Sequence, residues 1–262
     1  MVRRTQLLAM WCGPAAIALF VAGLWFVGGL VPPPSPAQSA QQIAEMYRAH
    51  AGAIRAGMVL MMLGAALIAP FTAEISTQLR RIQSPHSPLA ATQYGLGVAG
   101  IFVILLPAMT MQVAAFRPER DPNLILAIND AAWLPFVGII SLFMIQCAAI
   151  ALCVLQAGHQ TVFPRWVGYF NIWSALLLAP AVLIYFFKTG PFAWNGILVF
   201  WVGLTVLGAW FVVMAVTVRR AILTQDHDDL PEGLAALRAV EHLTAEVGAL
   251  RHKLDLITAE RS

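Results

Sequence analysis

Six apolar stretches, each long enough to cross a lipid bilayer, limit the fold of this chain more tightly than any other feature. They run from about Leu7 to Val31, Ala56 to Ser76, Tyr94 to Phe116, Asp130 to Gln156, Trp166 to Phe187 and Trp194 to Val218. A hydrocarbon core about 30 Å thick needs about 20 consecutive apolar residues per helix. The period-two alternation of a β-barrel strand is absent from these stretches. Composition agrees: 11% of the 262 residues are charged and 60% are hydrophobic. A soluble domain carries about 25% charged residues, so this chain has too few to cover a water-facing surface. The expected fold is all-α, a six-helix transmembrane bundle with an external amphipathic helix and a cytoplasmic C-terminal helix. The expected domains are the six-span unit, 1–220, and the tail, 221–262.

The connecting segments give the rest of the plan. Arg3 and Arg4 precede the first apolar run, which exceeds the 7–15 residues usual in a signal peptide, so a retained anchor is expected. Pro32, Pro33, Pro34 and Pro36 stop that helix. Ser39 to Arg55 is polar, with Ile43, Met46, Tyr47 and Ile54 near helical spacing. It reads as an amphipathic helix on the outer membrane surface or packed over the bundle. Basic residues at the span ends set orientation. Arg3, Arg4, Arg80, Arg81, Arg165, Arg219 and Arg220 fall on one side; Arg48, Arg55, Arg117, Arg120 and Lys188 fall on the other. The positive-inside rule then puts both termini in the cytoplasm of a cell whose inner (plasma) membrane holds the chain. The net charge of +3 comes from these helix ends, so its partners are lipid headgroups and not nucleic acid.

In the tail, Asp229 to Glu232 has the pattern of a helix start, with Pro231 in the first turn. Val240, Leu243, Val247, Leu250, Leu254 and Ile257 follow at heptad spacing. Glu246 and Arg251 then suit a parallel homodimer, and a protein partner is the other occupant the seam admits. Gly233 and Gly248 weaken the helix, and a helix lying on the membrane satisfies the same pattern.

The chemistry that the sequence permits is narrow. His50, His86, His159, His227, His242 and His252 all lie in loops or the tail, so no haem, copper or di-iron set stands inside a span. The three cysteines, Cys12, Cys147 and Cys153, lie in apolar runs and form no CxxC pair. No hydrolase elbow, phosphate loop, dinucleotide fingerprint or HExxH occurs. No cofactor, no metal site and no catalytic residue is therefore expected. Gln146 and Asn171 are the deepest polar groups, and each reads as an interhelical hydrogen bond. Glu74, Gln78 and Arg81 share a helix face and read as a helix-end salt bridge.

Pro14, Pro70, Pro107, Pro135 and Pro180 place one proline in each of the first five spans. Leu67-Ile68-Ala69-Pro70 echoes Leu177-Leu178-Ala179-Pro180, as an inverted repeat would. Pro107, Pro135 and Pro180 map to the outer half, where kinks would open a cavity. Asn129, Asp130 and Trp133 at the start of span four, Trp194 and Asn195 at the start of span six, and Arg117 and Arg120 in the loop before span four lie at that depth. These seven are the candidate ligand-binding residues. The competing reading is an interfacial anchor, with the tryptophans at headgroup level and Asp130 capping its helix.

Several stretches carry a resemblance as a set: Pro32 to Pro36, Asn129-Asp130-Ala131-Ala132-Trp133, Phe163-Pro164-Arg165-Trp166, and Phe186 to Gly196. They resemble an uncharacterised family of multi-pass integral membrane proteins of high-GC actinobacteria, over about residues 7–220. The resemblance implies the membrane bundle and carries no catalytic residue.

Two functions fit these observations. The first is a non-enzymatic membrane component, an accessory or scaffold subunit whose tail recruits a partner. The alternative is a small transporter, or a carrier of a lipid or hydrophobic ligand, using an outer-half cavity. The proposed topology is open to cysteine-substitution labelling. Positions 45 and 120 are expected to react in intact cells, and positions 83 and 240 only after permeabilisation. Labelling of position 240 in intact cells overturns the orientation.

Overall fold

The computed structural model describes residues 2–84, 86–157, 162–225 and 244. Among the described residues every regular element is helical, and six helical segments are long and apolar enough to cross a membrane. Span one is α1 (Val2–Val21) continued by a π-helical segment, Ala22–Val27. Span two is α2 (Ala40–Ala66) followed by α3 (Ile68–Arg80), and span three is α4 (Leu89–Ala99) followed by α5 (Ile101–Phe116). Span four is α6 (Pro122–Gly138) and α7 (Ser141–Gln156). Span five is α8 (Arg165–Leu178) with a 3-10 segment, Ala179–Tyr185. Span six is a π segment, Ile197–Trp201, leading into α9 (Val202–Leu223). The heptads expected in the tail lie outside the described residues.

Three boundaries differ from those read off the apolar runs. Span two is a helical run of 41 residues, about 60 Å long at 1.5 Å per residue. That is about twice a bilayer core. The polar segment expected as a separate amphipathic helix is its first part, joined through a kink at His50 (φ −122°, ψ 16°). Ser39 starts it with a reciprocal capping box with Gln42, which meets two of the free N–H groups at the helix end. Ile43, Ala44 and Tyr47 turn inward and are buried, while Arg48 Nε donates to the Pro118 carbonyl at 3.0 Å. Span four begins at Pro122, two turns before Asp130, because Asp121 caps it by accepting from the N–H groups of Asn123 (2.9 Å) and Leu124 (3.4 Å). Regular helix in span six begins late, since Gly190 (φ 80°) turns the chain and Trp194 is tied elsewhere. Trp194 Nε1 donates to the Pro34 carbonyl at 2.7 Å, joining the proline-rich loop to the loop before span six.

The bundle, Met1–Ile222, contains two apolar cores placed end to end. Each span contributes one half to each. Met10, Phe71, Ile75, Ala90, Ile150, Val167 and Met214 belong to the core at the Arg80 end. Leu24, Met58, Met61, Met111, Trp133, Ile184 and Val199 belong to the other. Large apolar side chains such as Leu63, Phe102, Leu152, Trp173 and Val216 face outward, as lipid contact requires. Spans one and two cross backbone to backbone. A Cβ on Gly57 would strike the Gly23 carbonyl and the backbone of Gly28, and one on Gly64 would stand 2.9 Å from the Ala16 carbonyl. Small residues let helices approach this closely where lipid supplies no hydrophobic drive to associate.

Gly57→Val is therefore expected to destabilise the detergent-solubilised protein by at least about 1–3 kcal/mol, the usual penalty of forced overpacking. Gly52→Ala and Gly95→Ala, whose Cβ atoms meet open space, are expected to leave the thermal midpoint unchanged or raised. Equal melting of all three variants contradicts the close crossing.

Candidate functional site, a cavity between the two cores

Every span departs from regular α-helical hydrogen bonding at the level where the two cores meet, and each departure has glycine or proline beside it. Span one changes to π geometry at Ala22, next to Gly23, and ends on Gly28. Span two breaks at Leu67, whose N–H bonds three residues back to Gly64; Pro70 follows, and it lacks the N–H that would bond Ala66. Span three breaks at Gly100, after which Val103 bonds three residues back. Span four leaves helical geometry at Ile139 (ψ 62°), after Gly138. Span five tightens to 3-10 at Ala179-Pro180. Span six starts as π helix after Gly196 and turns α at Val202-Gly203. Proline and glycine are the ordinary causes of such breaks. Both copies of the Leu-x-Ala-Pro echo fall on one.

A cavity of about 170 Å³ lies at this level, partly open to the surroundings, and the breaks line it: Ile68, Gly100, Ile139, Ile140, Leu178, Ala181, Phe200 and Gly203. Toward the Arg80 end its wall is aromatic. Phe71 stacks on Phe211 at 5.6 Å, and Phe143 meets Trp210 edge-on at 4.9 Å. Phe20, Phe136 and Phe200 form the opposite wall, with Trp133 behind Phe136 and Phe200. Two polar side chains, Thr72 and Gln146, reach the lining, and no charged side chain does among the described residues.

The polar groups that the sequence singled out fall into three kinds of place. Asn171 makes an interhelical bond, accepting from Trp210 Nε1 at 2.9 Å while its Nδ2 donates to the Val167 carbonyl at 2.9 Å. That bond fixes the indole of Trp210 at the cavity wall. Gln146 is buried on α7 but has no hydrogen bond among the described residues. Glu74, Gln78 and Arg81 form a chain at the helix end, Gln78 Nε2 donating to Glu74 at 2.7 Å and Arg81 donating to Gln78 Oε1 at 2.8 Å. Gln78 thus bridges the two charges. Among the described residues no group of three or more His, Cys, Asp or Glu is placed to hold a metal ion.

None of the seven residues expected to bind a ligand lines the cavity. Asn129 and Trp133 are fully buried in the core away from the Arg80 end, and Tyr47 donates to Asn129 Oδ1 at 3.4 Å. Trp194 is buried under the proline loop, while Asp130 and Asn195 are half-buried. Arg117 is exposed, and Arg120 Nη1 donates to the Val113 carbonyl at 3.3 Å. Trp133 touches the site only through the rings it supports. The prolines are a partial signal: Pro70, Pro135 and Pro180 neighbour breaks, but Pro107 lies inside regular α5 and does not line this cavity. Thr72 and Gln93 give no signal in the sequence, since a threonine or glutamine near the end of an apolar run carries no sign of which way it faces.

Comparison with known protein families, with characterised proteins and with solved structures finds no match to this chain.

Proposed function

We propose that this chain is a multi-pass membrane carrier that binds a hydrophobic small molecule between its two cores, with both termini in the cytoplasm. The observation that carries the reading is the coincidence of six helix breaks with one aromatic-walled cavity. Irregular backbone at membrane depth is tolerated where it is buried in protein or lines a cavity, and discontinuous helices are how many transporters build a mid-depth site. Volume that the chain's own side chains do not fill is costly. At about 24 cal/mol per Å³, 170 Å³ forfeits about 4 kcal/mol of packing. A subunit that only packs against partners has no use for that loss, whereas a ligand offsets it. The site differs from the outer-half location expected from sequence: it sits at the junction of the cores. The accessory-subunit reading rests on spans nearly free of ionisable groups, which a carrier of neutral molecules shares, and on the tail, which lies outside the described residues apart from Thr244.

The breaks also supply a means of movement. Each span is two short rods joined by a weakened link, so one core can tilt against the other around the site. The spans at the break level then flex without unfolding either half.

Gly203 lines the cavity, and a Cβ there meets only Leu178 Cδ2, at 3.7 Å. Gly203→Leu therefore fills the space without a backbone clash. Native mass spectrometry of gently solubilised protein is expected to show one tightly held small molecule or lipid on the wild type. On a Gly203→Leu variant of unchanged thermal midpoint it is expected to be lost. No stoichiometric adduct on the wild type, or equal adducts on both, contradicts the carrier reading.

A further inference from the structure

Two polar side chains on one wall of the cavity, with a third behind them, define what class of molecule it takes, given the carrier reading above. Thr72 comes from α3, Gln93 from α4 and Gln146 from α7. Thr72 and Gln146 meet at Gly97, whose missing side chain makes the room, and Gln93 bonds Thr72 from one turn earlier on α4. A Cβ on Gly97 would stand 2.9 Å from Gln146 Nε2 and would collide with the Thr72 hydroxyl.

Each of the three falls short of its hydrogen-bonding capacity. Gln93 is fully buried; its Nε2 donates to Thr72 Oγ1 at 2.7 Å, and its Oε1 has no partner. Exchanging the amide oxygen and nitrogen would leave the nitrogen unpaired instead, so the deficit does not depend on that assignment. Thr77, Thr110, Thr205 and Thr217 each turn the hydroxyl back to the carbonyl four residues earlier, at 2.8–3.0 Å. Thr72 makes no such bond among the described residues. With Gln93 donating to its oxygen, its proton is left to point elsewhere. Gln146 is 5% exposed, lines the cavity and has no hydrogen bond among the described residues. Unmet polar groups are costly in apolar surroundings, and two of these line one cavity from different helices while the third bonds to one of them, which points to a ligand that meets them.

The chemistry of these groups is neutral. Amides and a hydroxyl match a hydroxyl or carbonyl, and they do not offset the desolvation of a carboxylate, phosphate or ammonium. The remaining walls combine aliphatic side chains with aromatic rings, and the rings favour a ring laid against them. A cavity of about 150 Å³ holds a benzene ring, so 170 Å³ suits one ring or a small fused pair. We infer that Thr72 and Gln146 form a head-group subsite, with Gln93 holding Thr72 from behind, and that the cavity takes an uncharged, ring-bearing, lipid-soluble molecule with one hydroxyl or carbonyl on the ring. A tail on such a molecule would leave through the open side of the cavity.

The test uses the full chain in detergent and four probes of one shape: 1-naphthol, 1,4-naphthoquinone, naphthalene and 1-naphthoate. Equilibrium binding is measured on wild type, Gln146→Leu, Thr72→Val and the cavity-filled Gly203→Leu, which reports micelle partitioning. The expected result is that wild type binds naphthol or the quinone about tenfold more tightly than naphthalene, the size of one buried hydrogen bond. Naphthoate is expected to bind no better to wild type than to Gly203→Leu. Gln146→Leu or Thr72→Val is expected to bring the preference within about twofold while naphthalene still binds, which also shows that the variant is folded. If naphthalene or naphthoate matches naphthol on wild type, and Gly203→Leu abolishes all of it, the head-group assignment fails and the carrier reading stands. If the preference survives both polar substitutions, the assignment to these residues fails. If wild type and Gly203→Leu take up all four probes alike, the carrier reading and this inference fail together.

Discussion

A backbone amide inside hydrocarbon has no water to bond, so a membrane helix can break only where protein or a polar cavity receives what the break exposes. This constraint orders the whole bundle. Six spans depart from regular helix, and they do so around one cavity instead of at scattered depths. Breaks spread over several levels would each need their own shelter. Gathered at one level, they shelter one another. Tyr185 illustrates this: its ring lies where a side chain on Gly138 would stand, and its hydroxyl donates to the Leu134 carbonyl at 3.4 Å beside the break in span four.

The same gathering divides the interior. Above and below the break level the cores are close-packed, and spans one and two touch through Gly23, Gly57 and Gly64. Between them the packing passes through large rings. α9 meets its neighbours chiefly through side chains, Phe211 and Trp210 on Phe71, Trp210 on Phe143, and Met214 on Asn171. The Asn171–Trp210 bond is a polar pin on this side of the cavity, and it holds the indole at the cavity wall.

Much of the fold was legible in the sequence, because run length alone separates a membrane span from a soluble helix. The ends were less so. Span two extends through the polar residues Ala40 to Arg55 because Ile43, Ala44 and Tyr47 find partners in α5 and α6, a tertiary effect that no local pattern reports. The site was legible in part. Pro70, Pro135 and Pro180 marked weak points, and Gln146 stood out as a deep amide. Its neighbours did not, since Thr72 and Gln146 come from different helices and meet through the absence of a side chain at Gly97, with Gln93 bonded to Thr72. The outer-half residues were chosen by depth along the chain. Depth fixes a level but not a facing, and Trp133 faces into the core while its neighbour Asp130 stays half-exposed.

Amide hydrogen exchange, measured residue by residue on the protein in lipid nanodiscs, bears most directly on the breaks around which the site is built. In a continuous membrane helix the middle exchanges slowest, because it is farthest from water and fully bonded. Here protection is expected to fall at residues 98–103 and 138–142 relative to both flanks, 105–115 and 144–155, with matching minima near 67 and 179. Protection that rises steadily to a maximum at those positions would mean six unbroken helices and would contradict the account.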